Sequence, residues 1–193
     1  AALLEIFLNL REPIEFYQLR HLLTFLYFFI GTIFFYKLLM NRFGNRFISL
    51  LGCLLLIITP RLFGEIFHNN KDIIFLSFFI IACYYYFQTI DNEKVKNILL
   101  FSFFSAICTS LRFFGFVFPI LFLSIYLLSS LSKKEDLIKI NQIFIYLFFY
   151  IVFLILHWPY LWSDPFQNLV DHFSNLSIFG SPVIYFNGEF YNT

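Results

Sequence analysis

The sequence predicts an all-α fold: a polytopic transmembrane helix bundle of about six hydrophobic helices, some short, with a loop region on the outer side. Three observations carry that expectation. Of the 193 residues, 60% are hydrophobic and 24% aromatic, against 13% charged, a balance foreign to water-soluble domains of this size. The apolar residues fall in long unbroken runs rather than in stripes of helical or strand period, as lipid surroundings favour. Polar residues gather in short punctuating segments, several with Gly or Pro. A net charge of +1 gives no basic surface for nucleic acid.

The elements follow in order. Residues 1–10 are apolar but carry Glu5 and Asn9 and lack a basic leader, which favours an interfacial segment over a signal peptide; residues 1–20 form the expected outer portion. Residues 22–40 form a continuous run that is apolar apart from Lys37 and two threonines, and match the ~20 residues that cross the hydrocarbon as a helix. Gly44, set between Arg42 and Arg46, marks a turn, and residues 47–59 then form a short second span ending at Pro60. Residues 73–90 give a third span. The run 98–130 is too long for one helix and is interrupted by Arg112 and Gly115, so it divides into two helices, the second starting near Phe113. Residues 143–157 are the last span. From Trp158 onward, Pro159, Pro165, Gly180, Pro182 and Gly188 predict a turn-rich outer loop, 158–193. All of this reads as one membrane domain, 1–193. Because the chain begins with Ala1 and ends in a polar stretch, it is expected to be an internal piece of a longer protein. Cys53, Cys83 and Cys108 all lie within apolar runs, without metal-ligand spacing, and read as small membrane-helix residues.

Alternating spans sort the basic residues of the connecting segments into two sets. Arg42, Arg46, Lys94, Lys96, Lys133, Lys134 and Lys139 fall on one side; Arg11, Arg20, Arg61, Lys71 and Arg112 fall on the other. The richer set marks the cytoplasmic side. His21, His68, His157, His172 and both tryptophans lie on the opposite side.

Three groups of polar residues need an explanation. Arg112 interrupts an apolar stretch, where a lipid-facing arginine costs about 2.5–3.5 kcal/mol. It either snorkels to the interface or faces a cavity that receives an anion. The segment between Pro60 and Asp72 holds Arg61, Glu65, His68, Lys71 and Asp72 interleaved with Leu62, Phe63, Ile66 and Phe67. A solvated loop would have similar charges, but the apolar residues suggest a loop in the interface. There Arg61 could fork onto a phosphate, Lys71 supply a point charge, and Glu65 or Asp72 orient them or bind a metal or sugar hydroxyl. No spacing is a recognised metal motif, and His68 alone reads as a polar loop residue. At the end of the last span, Trp158, Tyr160 and Trp162 read as an aromatic belt, or as a platform for a sugar or polyprenyl tail. Asp164 and Asp171 are spaced for one helix face, which Pro165 opposes.

Pro60-Arg61-Leu62-Phe63, then Phe67-His68-Asn69 and Lys71-Asp72 at the head of a span, resemble the second outer loop of bacterial relatives of the dolichyl-phosphate-mannose protein mannosyltransferases. These are family 39 of the GT-C glycosyltransferases. The break at residues 109–115 is similar to their pattern of small residues, a basic residue and glycine, and Trp158-Pro159-Tyr160-Leu161-Trp162 resembles the opening of a later outer loop. The resemblance covers most of the chain. It implies inverting transfer of a sugar from a polyprenyl-phosphate donor to an acceptor on the periplasmic or lumenal face of the bacterial inner membrane or its equivalent.

In such an enzyme an acidic base activates the acceptor and basic side chains hold the departing lipid phosphate. Arg61, Lys71 and Arg112 are the donor-phosphate candidates on the physical grounds above, with His68, Asp72, Glu65, Trp158 and Trp162 as supporting residues. The family's catalytic acid is expected in the first large outer loop. Glu5, Glu12 and Glu15 lie there without matching a motif, so no catalytic base is assigned, and no residues are assigned to a metal. The expected partners are membrane lipid and the lipid-linked sugar. A transporter or flippase would line several spans with polar groups; a non-catalytic scaffold would tolerate loss of all three cations.

Overall fold

The computed structural model describes residues 2–9, 11–92, 94–131, 139–177, 183–186 and 189–192. They form two units, Ala1–His157 and Trp158–Thr193. The first contains α1 (Ala2–Phe7), α2 (Pro13–Phe43), α3 (Arg46–Ile58), α4 (Pro60–Glu65), α5 (Asp72–Asp91), α6 (Val95–Leu111), α7 (Val117–Leu131) and α8 (Ile140–His157). It is the expected all-α membrane bundle. α2, α5 and α8 are long and apolar enough to cross a membrane, and α3 and α6 are shorter apolar helices.

The sequence places the first span at residues 22–40, but its helix starts at Pro13. Pro suits that position because its missing N–H would have no helical partner there. The Glu15 carboxylate accepts from the N–H groups of Arg11 and Glu12 at 3.1 and 3.3 Å. With 31 residues, α2 is about 46 Å long, so it outruns the hydrocarbon. It ends where Gly44 adopts φ 62°, a left-handed position that glycine occupies without a Cβ clash. Asn45 then starts α3, its Oδ1 accepting from Phe47 and Ile48 at 2.9 and 3.2 Å.

α2 and α5 run side by side in one direction, pairing Tyr27 with Phe78 and Phe34 with Tyr84 in ascending order. Gly31 allows the approach: a Cβ there would stand 2.9 Å from the Ser77 backbone, a small-residue contact of the kind that holds membrane helices together. α6 returns antiparallel to α5. At one end Arg112 pairs with Asp72; at the other the Asn97 Nδ2 donates to the Gln88 carbonyl at 3.1 Å.

Ser102, Ser105 and Thr109, one face of α6, meet α8 in a buried polar seam. Ser102 donates to the Tyr146 carbonyl (3.3 Å), Ser105 bonds the Tyr146 hydroxyl (3.1 Å) and Thr109 the Tyr150 hydroxyl (2.8 Å). Beside it, Phe101 is fully buried and stacks on Tyr146 at 4.6 Å. Outward-facing groups remain apolar: Phe47 is 75% exposed and Phe148 62%, as a lipid-facing surface requires.

The predicted division near Arg112 is present. α6 stops at Leu111, Arg112 is extended (φ −146°, ψ 134°), and a 3-10 turn, Phe113–Phe116, leads into α7. Gly115 lies so close to the backbone of Cys108 and Thr109 that a Cβ would collide with it. Cys53 and Cys108 are buried and Cys83 partly so, all as free thiols.

The second unit holds α9 (Pro165–Ser177) and an antiparallel hairpin, β1 (Val183–Phe186) with β2 (Glu189–Asn192), paired from Val183–Asn192 to Phe186–Glu189. The sequence predicts only turns here. Pro165 starts α9 instead of breaking it, and the Asp164 carboxylate accepts the Gln167 N–H at 3.1 Å. Lys133 and Lys134 lie outside the described residues.

Candidate functional site

The polar site is built on the turn between α4 and α5. Thr59-Pro60 begins α4, and Ile66, 3% exposed, drops into a core with Phe28 and Ile73. Burial of such a side chain contributes about 1.5–3 kcal/mol, enough to hold the turn against the bundle. Phe67 stacks on Phe25 at 5.5 Å, and His68 on His21 at 4.9 Å with the rings 15° apart. His21 in turn lies 3.8 Å from Tyr17. The extended start of α2 is therefore a wall for the loop.

Asn69 organises the polar groups. Its Oδ1 accepts the backbone N–H of Lys71 and Asp72 at 3.2 and 2.9 Å, and its Nδ2 donates to the Glu65 carboxylate and to Asp72 Oδ2 (2.9 Å). Asp72 also receives Arg112 across forty residues of chain. The chain Glu65–Asn69–Asp72–Arg112 thus ties α4, the turn, α5 and the end of α6 together.

Two depressions open onto this chain. Pro60, Arg61, Gly64, Glu65, His68 and Asn69 line one of about 560 Å³; Arg61, Glu65, Asn69 and Asp72 line part of a second, about 210 Å³, floored by Leu62, Ile73 and Leu76. The candidate groups Arg61, Glu65, His68, Asp72 and Arg112 are therefore brought to one end of the bundle, with Lys71 exposed beside Asp72. Arg61 and Lys71 make no ion pair among the described residues. Arg112 does, with Asp72, its side chain being 46% exposed and Asp72's 53%.

Trp158 and Trp162 belong to the second unit. There Trp158 packs edge-on against His172 at 5.0 Å, and Trp162 is 64% exposed. The first-loop acids have structural partners: Glu15 caps α2, and Glu5 receives Arg20 Nε at 2.8 Å. That bond holds the Glu5 carboxyl below its ordinary range.

Asn69 stands in the motif that carries the resemblance, but sequence reasoning assigns it no role at the site. Its position three residues ahead of a helix, where Asn readily accepts backbone N–H groups, is the signal that could have found it.

A helical bundle that faces lipid with aromatic side chains and gathers cations, carboxylates and an amide at one end defines an integral membrane protein with a polar terminal site. Residues 1–162 match the family described as dolichyl-phosphate-mannose-protein mannosyltransferase, and the chain belongs to that family. It is accordingly a membrane glycosyltransferase of the GT-C type. No curated protein and no solved structure matches the chain. The matched residues include the whole α4–α5 site and both tryptophans, and exclude α9 and the hairpin.

Proposed function

We propose that the protein transfers a sugar from a polyprenyl-phosphate donor to an acceptor hydroxyl on the periplasmic or lumenal face of the bacterial inner membrane or an equivalent membrane. The observation that supports it most is Arg61, which lines both depressions, the second floored by Leu62, Ile73 and Leu76, with Lys71 exposed close by and neither cation in an ion pair among the described residues. Phosphate and polyprenyl chain ask for that combination of cations and apolar surface.

In the reaction the acceptor oxygen bonds to the sugar's anomeric carbon while the bond from that carbon to the phosphate oxygen breaks. The electron pair leaves with the lipid phosphate, where Arg61 and Lys71 stabilise it, and the hydroxyl proton passes to an acidic base. That base is not assigned to a residue of this chain. Arg112, already neutralised by Asp72, is a third cation that the phosphate can recruit. A transport path gains no support from the α6–α8 hydroxyls, which bond one another and the backbone.

The test is binding of a short-chain polyprenyl-phosphate sugar to the purified protein. Arg61→Gln and Lys71→Gln should each weaken it roughly tenfold, the loss of one charge-assisted contact. Unchanged affinity in both variants refutes the assignment.

A further inference from the structure

At the end of the bundle away from the polar turn, the last turns of α2 and α5 form a further recess of about 320 Å³, lined by Leu38, Leu39, Asn41, Arg42, Phe87 and Asp91. We infer that it binds one aminophospholipid of the phosphatidylethanolamine type, the phosphate on Arg42 and the ammonium on Asp91.

Position comes first. α5 has 20 residues, about 30 Å of helix, which equals the hydrocarbon thickness. With Asp72 at one interface, Asp91 reaches the other, at headgroup depth. Arg42 stands just before the Gly44 stop of α2 at the same end.

Charge is the second argument. Among the described residues neither Arg42 nor Asp91 makes an ion pair, although both line one recess. Asp91 is also the final residue of α5, where the helix terminus is itself partially negative and a carboxylate calls for a nearby cation. A zwitterionic headgroup supplies both missing charges at once. An anionic lipid would satisfy Arg42 and be repelled by Asp91, and a choline headgroup would bring its charge without N–H donors. Leu38, Leu39 and Phe87, which is 48% exposed, offer apolar walls for the glycerol and the first acyl carbons. A recess of this size holds a headgroup and the start of its chains, not a whole lipid.

The experiment is native mass spectrometry of the delipidated full chain, titrated with phosphatidylethanolamine, phosphatidylglycerol and phosphatidylcholine of identical acyl chains. One equivalent of phosphatidylethanolamine should bind roughly tenfold more tightly than either other lipid, as one additional charge-assisted contact implies. Arg42→Gln and Asp91→Asn should each abolish that preference while leaving polyprenyl-phosphate binding at the far end unchanged. Equal occupancy by all three lipids, a preference for phosphatidylglycerol, or a preference that survives in both variants overturns the proposal. Should the variants fail to fold, the ranking of lipids on the unmodified protein decides it.

Discussion

Replacing Asp72 by Asn separates the two roles that the α5 terminus combines. The Asn side chain keeps an acceptor for the Asn69 amide, which now reaches Asp72 at 2.9 Å, but removes the charge that neutralises Arg112. Both members of that ion pair are about half exposed, 46% for Arg112 and 53% for Asp72, so their coupling is worth roughly 0.2–1 kcal/mol. Stability should therefore change by less than about 1 kcal/mol. Donor binding should move the other way from a simple loss of contact. If Asp72 competes with the lipid phosphate for Arg112, its removal strengthens binding by up to about 1 kcal/mol, at most about fivefold. Arg112→Leu should instead weaken it by about 1.5–3 kcal/mol. Titration calorimetry with a short-chain polyprenyl phosphate measures both, and high salt should shrink the difference. The reasoning fails if Asp72→Asn weakens binding as much as Arg112→Leu; Asp72 would then be the group that aims Arg112 at the phosphate.

Other outcomes follow from the packing. Gly31→Ala forces a Cβ to within 2.9 Å of the Ser77 backbone and should cost about 1–3 kcal/mol in detergent unfolding, as overpacking does. Glu5 has a lowered folded-state pKa because Arg20 bonds it. The contact's contribution is complete above the ordinary carboxylate value and is lost as pH falls through the lower folded value. Proteolysis of the first segment should rise over that acidic window, and Glu5→Gln should remove the pH dependence. A cysteine replacing the exposed Asn70 should react with an impermeant thiol reagent outside the cell, and one replacing Asn41 should not; the reverse pattern inverts the orientation.

The spans were legible because lipid imposes a simple rule, apolar length, and the runs at 73–90 and 143–157 lie within α5 and α8. The break at Arg112 was legible for a related reason: no single helix can carry 98–130 across one bilayer. The start of α2 was not, since Glu15 and Arg20 look like a membrane boundary, and only the capping by Glu15 shows that the helix continues outside it. α9 was hidden by Pro165, a breaker within a helix and a favoured residue at its first turn. At the site, residue types were readable but pairings were not. Arg112 and Asp72 are forty residues apart, and their meeting depends on the packing of α5 against α6. Asn69 carries no charge to draw notice, yet its one side chain bonds Glu65, Asp72 and two backbone groups.

The most direct test of the central claim is photocrosslinking with a polyprenyl-phosphate sugar whose first isoprene unit carries a diazirine, followed by peptide mapping of the adduct. A lipid phosphate held by Arg61 and Lys71 should place the label on residues 60–76. Adducts confined to residues 38–46, at the opposite end of α2, would contradict it.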